Sequence, residues 1–226
     1  MKSGGCKVGI ESTVVRISQD GSELRILRCG AITSTDISTV LSSYNIKANV
    51  INDNDITTKK NETAVAPGQM IKHYAPDIPT YIIRNDNKDN DNDNDKNNNH
   101  NILSIIRNSN DNDNDNDNNK QDKHESINVN DAFIIDYNNK LGKYKLSCKR
   151  YMDLSRDGIP SEACRVVFQA LRQAENVDVT SNGVKIVLLP DLRKDAESNE
   201  LLQALWERLH RAASGNFVKE KQGVTL

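Results

Sequence analysis

Ser161-Glu162-Ala163-Cys164-Arg165-Val166-Val167-Phe168-Gln169-Ala170-Leu171-Arg172-Gln173-Ala174 decides the fold class of this chain. Ala163, Val166, Val167, Ala170, Leu171 and Ala174 fall at i, i+3, i+4, i+7, i+8 and i+11, which puts them on one face of a helix. After it, Val184–Leu189 is an apolar, β-branched run closed by Pro190, and it reads as a strand. Ser198 then caps a second helix, which carries Leu201, Leu202, Leu205, Leu209 and Ala212 and stops at Gly215. Before the first helix, Ala132-Phe133-Ile134-Ile135-Asp136-Tyr137 is a buried strand. Strand, helix, strand, helix is the pattern of a parallel α/β unit. The residues from Phe217 onward read as a loose tail.

The chain has 226 residues, which at about 150 residues per domain predicts one or two domains. Its net charge of −2 gives no case for a whole-molecule field that would attract nucleic acid or a membrane. The hydrophobic fraction is 36% and the mean hydropathy −0.69, which together would fit disorder. The shortage is local, however, because Asn and Asp crowd residues 85–119. Such a tract has too little apolar surface to offset the entropy of ordering it, so 85–127 reads as a disordered insertion, of which Asn85–Lys120 should be dispensable. An apolar island, Ile102, Leu103, Ile105 and Ile106, lies inside it. A calcium-loop reading lacks the Gly and terminal Glu such loops use.

Cysteines at 6, 29, 148 and 164 form no CxxC pair and read as free, mostly buried thiols. Met1–Gly5 has no apolar core of a signal peptide, and the run Ile186–Leu189 is far too short to cross a bilayer. The expectation is a cytoplasmic chain with no membrane partner.

Toward the other end, Ile10–Ile17 and Leu24–Arg28 are β-forming, and Asp20-Gly21 between them suits a hairpin turn. Ser34 or Thr35 can cap a helix over Asp36–Ser43, with Ile37, Val40 and Leu41 on one face. Ala48–Ile51 is a further short strand. A proline-rich strap then runs through Ala66-Pro67-Gly68-Gln69-Met70-Ile71-Lys72-His73-Tyr74-Ala75-Pro76 to Pro79, and its apolar residues predict that it lies against 8–45. Thr80–Arg84 is β-like. His73 alone on such a strap is more often a structural hydrogen-bonder than a ligand. Three features carry chemistry. The glycines of Gly4-Gly5-Cys6-Lys7-Val8-Gly9 let the backbone approach a ligand before the Ser12 and Thr13 hydroxyls, although Ser-Thr in a strand is usually structural. Arg28 ends a strand just before Gly30, which suits an anionic group. The strap is the third.

In this order, Gly-Ile-Glu-Ser-Thr-Val-Val (9–15), Ile-Leu-Arg-x-Gly-Ala-Ile (26–32) and Ala-Pro-Gly-x-x-x-x-His-Tyr-Ala-Pro (66–76) resemble the long form of threonylcarbamoyl-AMP synthase. The resemblance is close over 4–80 and looser over 131–215, where Ser161–Ala174 and Trp206-Glu207-Arg208-Leu209 are similar to the family's C-terminal domain. It implies an α/β fold in parts: the C-terminal part of a twisted YrdC-type domain at 1–46, a linker strap at 47–79, and a small Rossmann-like parallel-sheet domain at 80–216. That last domain is interrupted by the low-complexity insertion and followed by a 217–226 tail. It also implies a nucleotidyltransferase that turns L-threonine, bicarbonate and ATP, with Mg2+ accompanying the ATP, into threonylcarbamoyl-AMP and pyrophosphate. Separate machinery then modifies tRNA with the product, and the full YrdC-type domain leaves room for RNA binding. By the same resemblance Ser12 contacts L-threonine, and Arg28 and Ala66 contact ATP. No catalytic side chain and no metal ligand is assigned.

The sequence departs from the family at Cys29, where Pro is usual, and at Ala66, often Ser, which can offer ATP only its backbone. The family's early Thr, its Lys-x-Arg pair and its Ser-x-Asn segment have no counterpart here. The expectation is therefore an N-terminally truncated, inactive chain. The alternatives are a non-catalytic regulatory module and a nucleotide-binding α/β domain of its own, the latter disfavoured because no GxGxxG follows a strand.

Overall fold

The computed structural model describes residues 9–52, 75–84, 102–106, 126–175 and 183–220. β1 (Val14–Ile17) and β2 (Glu23–Arg28) form the expected antiparallel hairpin, with Gly21 at φ 72° in its turn. The register slips between Val14 and Val15, so Leu27 is an extra residue on β2 and Arg28 sits opposite Val14. α1 (Ser34–Ser43) follows. Its N-cap is Thr33, not Ser34 or Thr35: the Thr33 side chain accepts from Asp36 N, and the Asp36 carboxylate accepts from Thr33 N. That reciprocal pair needs an acid three residues after the cap, which only Thr33 has. β3 (Asn49–Asn52) adds to β2 in parallel. α1 buries none of its residues, and Ile17, Ile32, Val40 and Tyr44 are exposed.

The larger unit begins where the strap ends. Pro76 and Ile78 are buried and lead into β4 (Thr80–Ile83). The strap over 53–74, with Ala66, Lys72 and His73, lies outside the described residues. β5 (Ile102–Ile106), β6 (Ser126–Asn128), β7 (Ala132–Asp136), β8 (Arg150–Asp153), α2 (Pro160–Glu175), β9 (Ile186–Pro190), α3 (Arg193–Ala196), α4 (Glu200–Ala212) and β10 (Phe217–Glu220) complete it. The sheet order is β6-β5-β10-β4-β9-β7-β8. The five strands from β10 to β8 are parallel, and β5 is antiparallel to both its neighbours. This is the expected Rossmann-like α/β sheet. Both faces are covered, which is why β7 and β9 are continuous apolar runs. Phe133, Ile135, Val187 and Leu189 face α2 and α4, while Ala132, Ile134 and Leu188 face a second cluster with Leu103, Tyr144 and Val218.

Further expectations are corrected. The cap of α4 is Asn199, whose side chain accepts from Leu201 N and Leu202 N, and not Ser198. The segment from Phe217 is not a tail, because β10 lies inside the sheet between β4 and β5 and Val218 is fully buried. The insertion is not featureless either, since its apolar island forms β5 and Ser126–Asn128 forms β6. Alternation of Asn and Asp cannot bury itself, but an island with Leu103 at 0% exposure can. Leu103→Ala should cost about 2–5 kcal/mol in urea unfolding. An unchanged unfolding midpoint would remove β5 from the core.

Candidate functional site

Arg28 and Ser12 are 16 residues apart in sequence, and the hairpin brings them together. Arg28 Nε donates to the Ser12 carbonyl at 3.0 Å and Nη2 donates to Ser12 Oγ at 2.9 Å. Nη1 lies 3.7 Å from Glu11 Oε2. Ser12 itself is exposed, so its hydroxyl faces outward beside a guanidinium. Thr13 does different work. Its Oγ1 donates to Ile32 O at 2.6 Å and accepts from Ile32 N at 3.1 Å, which ties the segment after Arg28 to β1. Gly30 makes this approach feasible, because a Cβ there would lie 2.4 Å from Thr13 N and 2.5 Å from Glu11 O. Of the two adjacent hydroxyls, one is structural and the other is presented. Thr13→Val should therefore lower stability by about 1 kcal/mol, more than Ser12→Ala does. Thermal melts of both variants check this, and the reverse order would reassign the two hydroxyls.

Helix α4 reaches this site from the larger unit. Arg208, 3% exposed, pairs with Glu11, the same carboxylate that faces Arg28. Burial lowers Arg208 to about 10, which still leaves it charged at neutral pH. Glu207, beside Cys29, has its carboxyl raised by burial against the pull of Arg211. The Cys29 thiol is pushed far up by burial and by Glu207, so it stays protonated and is no nucleophile next to Arg28. Two turns earlier on the helix, Glu200 accepts from Ser34 N at 2.5 Å and Ser34 Oγ at 2.7 Å, and one turn earlier Gln203 accepts from Asn52 at 3.1 Å. A polar cleft of about 170 Å³ opens between Ser34, Asn52, Asn199, Glu200 and Gln203. It is a seam between the two units, and neither Ser12 nor Arg28 lines it.

Sequence reasoning found Ser12 and Arg28, which the fold joins. It missed Glu11, Glu200, Glu207 and Arg208. Glu11 stood inside the 9–15 motif and Glu207 and Arg208 inside the Trp206–Leu209 stretch, but neither pattern gave them a role, and Glu200, Gln203, Glu207 and Arg208 at helical spacing on α4 read as a solvated face. Ala66 lies outside the described residues. Among the described residues, no three His, Cys, Asp or Glu side chains gather as a metal site, and no helix is long and apolar enough to cross a membrane.

The family described as threonylcarbamoyl-AMP synthase, C-terminal domain, matches residues 32–214. The chain belongs to this family. The matched span runs from α1 through α4, so the synthase-family assignment rests on the parallel sheet and its helices, while Ser12 and Arg28 stand before it. The synthase-family chain is also similar to the crystal structure of P. abyssi Sua5 complexed with L-threonine. Identity is 18% and the TM-score 0.51, over 95% of this chain and 49% of that one, a likeness of fold. The chain spans about half the length of that solved protein. No curated protein matches it.

Proposed function

We propose that this chain is part of a threonylcarbamoyl-AMP synthase and that Ser12 and Arg28 form part of its substrate site. The family membership carries the reading, and the 2.9 Å bond between Arg28 and the outward Ser12 hydroxyl supports the site. In the proposed reaction the amine of L-threonine takes up bicarbonate with loss of water to give a carbamate. A carbamate oxygen then attacks the α-phosphorus of ATP, whose bond to the β-phosphate breaks, and pyrophosphate leaves. Ser12 contacts the amino acid and Arg28 the nucleotide. Their adjacency suits a step in which threonine-derived and ATP-derived atoms must meet, because fixed cationic donors stabilise charge developing at phosphorus. In this reading any Mg2+ arrives with ATP as part of the substrate, and the product is passed on to tRNA-modifying machinery.

The half-length coverage and the exposed Ile17, Ile32, Val40 and Tyr44 support a site completed by further protein packed on the β1–β3 unit. Pyrophosphate release from ATP, with and without threonine and bicarbonate, tests the function in the complete gene product that carries these residues. Release that needs both co-substrates is the expected result. Its absence would leave the chain as a non-catalytic α/β module.

A further inference from the structure

Helix α4 has two working faces. Leu202, Leu205, Trp206 and Leu209 pack into the core of the larger unit. Glu200, Gln203, Glu207 and Arg208 all reach the β1–β3 unit, and each meets a polar partner there. A contact built only to join two units would gain more from apolar side chains, since burying charges is costly unless they are well paired. Arg208 is the most buried of these charges, and its partner Glu11 is covalently next to Ser12. Its guanidinium is fixed from the other side by the Phe168 ring, 5.0 Å from the centroid. Glu11 is thereby shared between Arg208 and Arg28.

We propose that Arg208 is a positioning residue: by holding Glu11 it keeps Arg28 aligned on Ser12, so that the C-terminal domain sets the geometry of the substrate site. The physical reason is competition for one carboxylate. With Arg208 in place, Glu11 is drawn toward α4 and Arg28 keeps its bonds to Ser12 O and Oγ. Without it, the whole charge of Glu11 falls on Arg28, whose Nη1 is already 3.7 Å away, and the guanidinium swings off the hydroxyl. Gly9 keeps the segment close enough for this pairing. A Cβ there would lie 2.2 Å from Arg165 O on α2, so only glycine lets residues 9–12 lie against the larger unit.

This proposal rests on the site assignment above, and its test separates the two. In the complete gene product, Arg208→Met keeps the length and apolar stem of the side chain and removes the charge, while Arg208→Lys restores a charge. Arg208→Met should lower kcat/KM for threonine and for ATP roughly tenfold to a hundredfold in protein that melts well above the assay temperature, and Arg208→Lys should recover part of the loss. Equal losses in both variants would contradict positioning. The second readout needs no turnover: the Nε–H resonance of Arg28, assigned by its loss in Arg28→Lys, should shift and exchange faster with water in Arg208→Met. An unchanged resonance would overturn the proposal even if the enzyme works. A changed resonance in a protein without synthase activity would instead uphold the positioning and sink the functional reading. Should Arg208→Met fail to fold, the double variant Arg208→Met with Glu11→Gln removes both members of the pair and should leave the Arg28 resonance where it is in the native protein, and a shifted resonance there would overturn the competition for Glu11.

Discussion

Arg28→Ala should reduce threonylcarbamoyl-AMP formation by about two to three orders of magnitude, the range seen when one fixed donor to a developing charge is removed. The loss has two sources. The nucleotide loses a cation, and Ser12 loses the groups that hold its carbonyl and hydroxyl at 3.0 and 2.9 Å. The fold should survive, because Arg28 is at the end of β2, while the hairpin is held by its ladder and by Thr13. Steady-state kinetics with a parallel melting curve checks both halves. An Arg28→Ala enzyme of full activity would show that the nucleotide is held elsewhere.

The second large effect is on stability. Asp136, at the end of β7, is fully buried and accepts from Tyr137 N, Leu141 N and the Tyr151 hydroxyl, at 2.7, 2.9 and 2.5 Å. It ties β7 to β8 and fixes the turn between them. Asp136→Ala leaves these donors without their acceptor inside the protein and should cost about 3 kcal/mol or more. The pH dependence has a defined sign. Burial raises the Asp136 carboxyl above its usual value of 3.8, against the hydrogen bonds that lower it. The folded state therefore holds its proton more tightly than the unfolded chain. Its favourable contribution is present below about pH 3.8 and is lost as pH rises through the folded value. Compared with Asp136→Asn, the native protein should lose stability as pH climbs out of the acid range. Chemical unfolding across that range decides it, and a relative gain on raising pH would contradict the assignment.

What was legible in the sequence divides along locality. The α2 face, the hairpin turn at Gly21 and the apolar runs of β7 and β9 are local patterns, and each forms as read. The Thr33 cap could have been found from the Thr-x-x-Asp spacing at 33–36. β10 could not. Four residues, Phe217–Glu220, have no period long enough to read, and the strand exists because β4 and β5 pair with it on both sides. β5 was hidden for a related reason: its apolar residues sit in a polar tract, and burial comes from partners distant in sequence. The site divides in the same way. Ser12 and Arg28 are neighbours across one hairpin, so motif order pointed to both. Arg208 lies almost the whole chain away from Glu11, and only the packing of α4 on the β1–β3 unit brings them together.

The most direct measurement of the central claim is the identity of the product. The complete gene product is supplied with L-threonine, ATP and isotopically labelled bicarbonate, and the nucleotide products are separated and weighed. The account predicts a labelled species that contains one threonine, one bicarbonate carbon and AMP, formed with pyrophosphate and strongly reduced by Arg28→Ala. AMP and pyrophosphate formed without incorporation of label, or a labelled product of undiminished yield in Arg28→Ala, would contradict it.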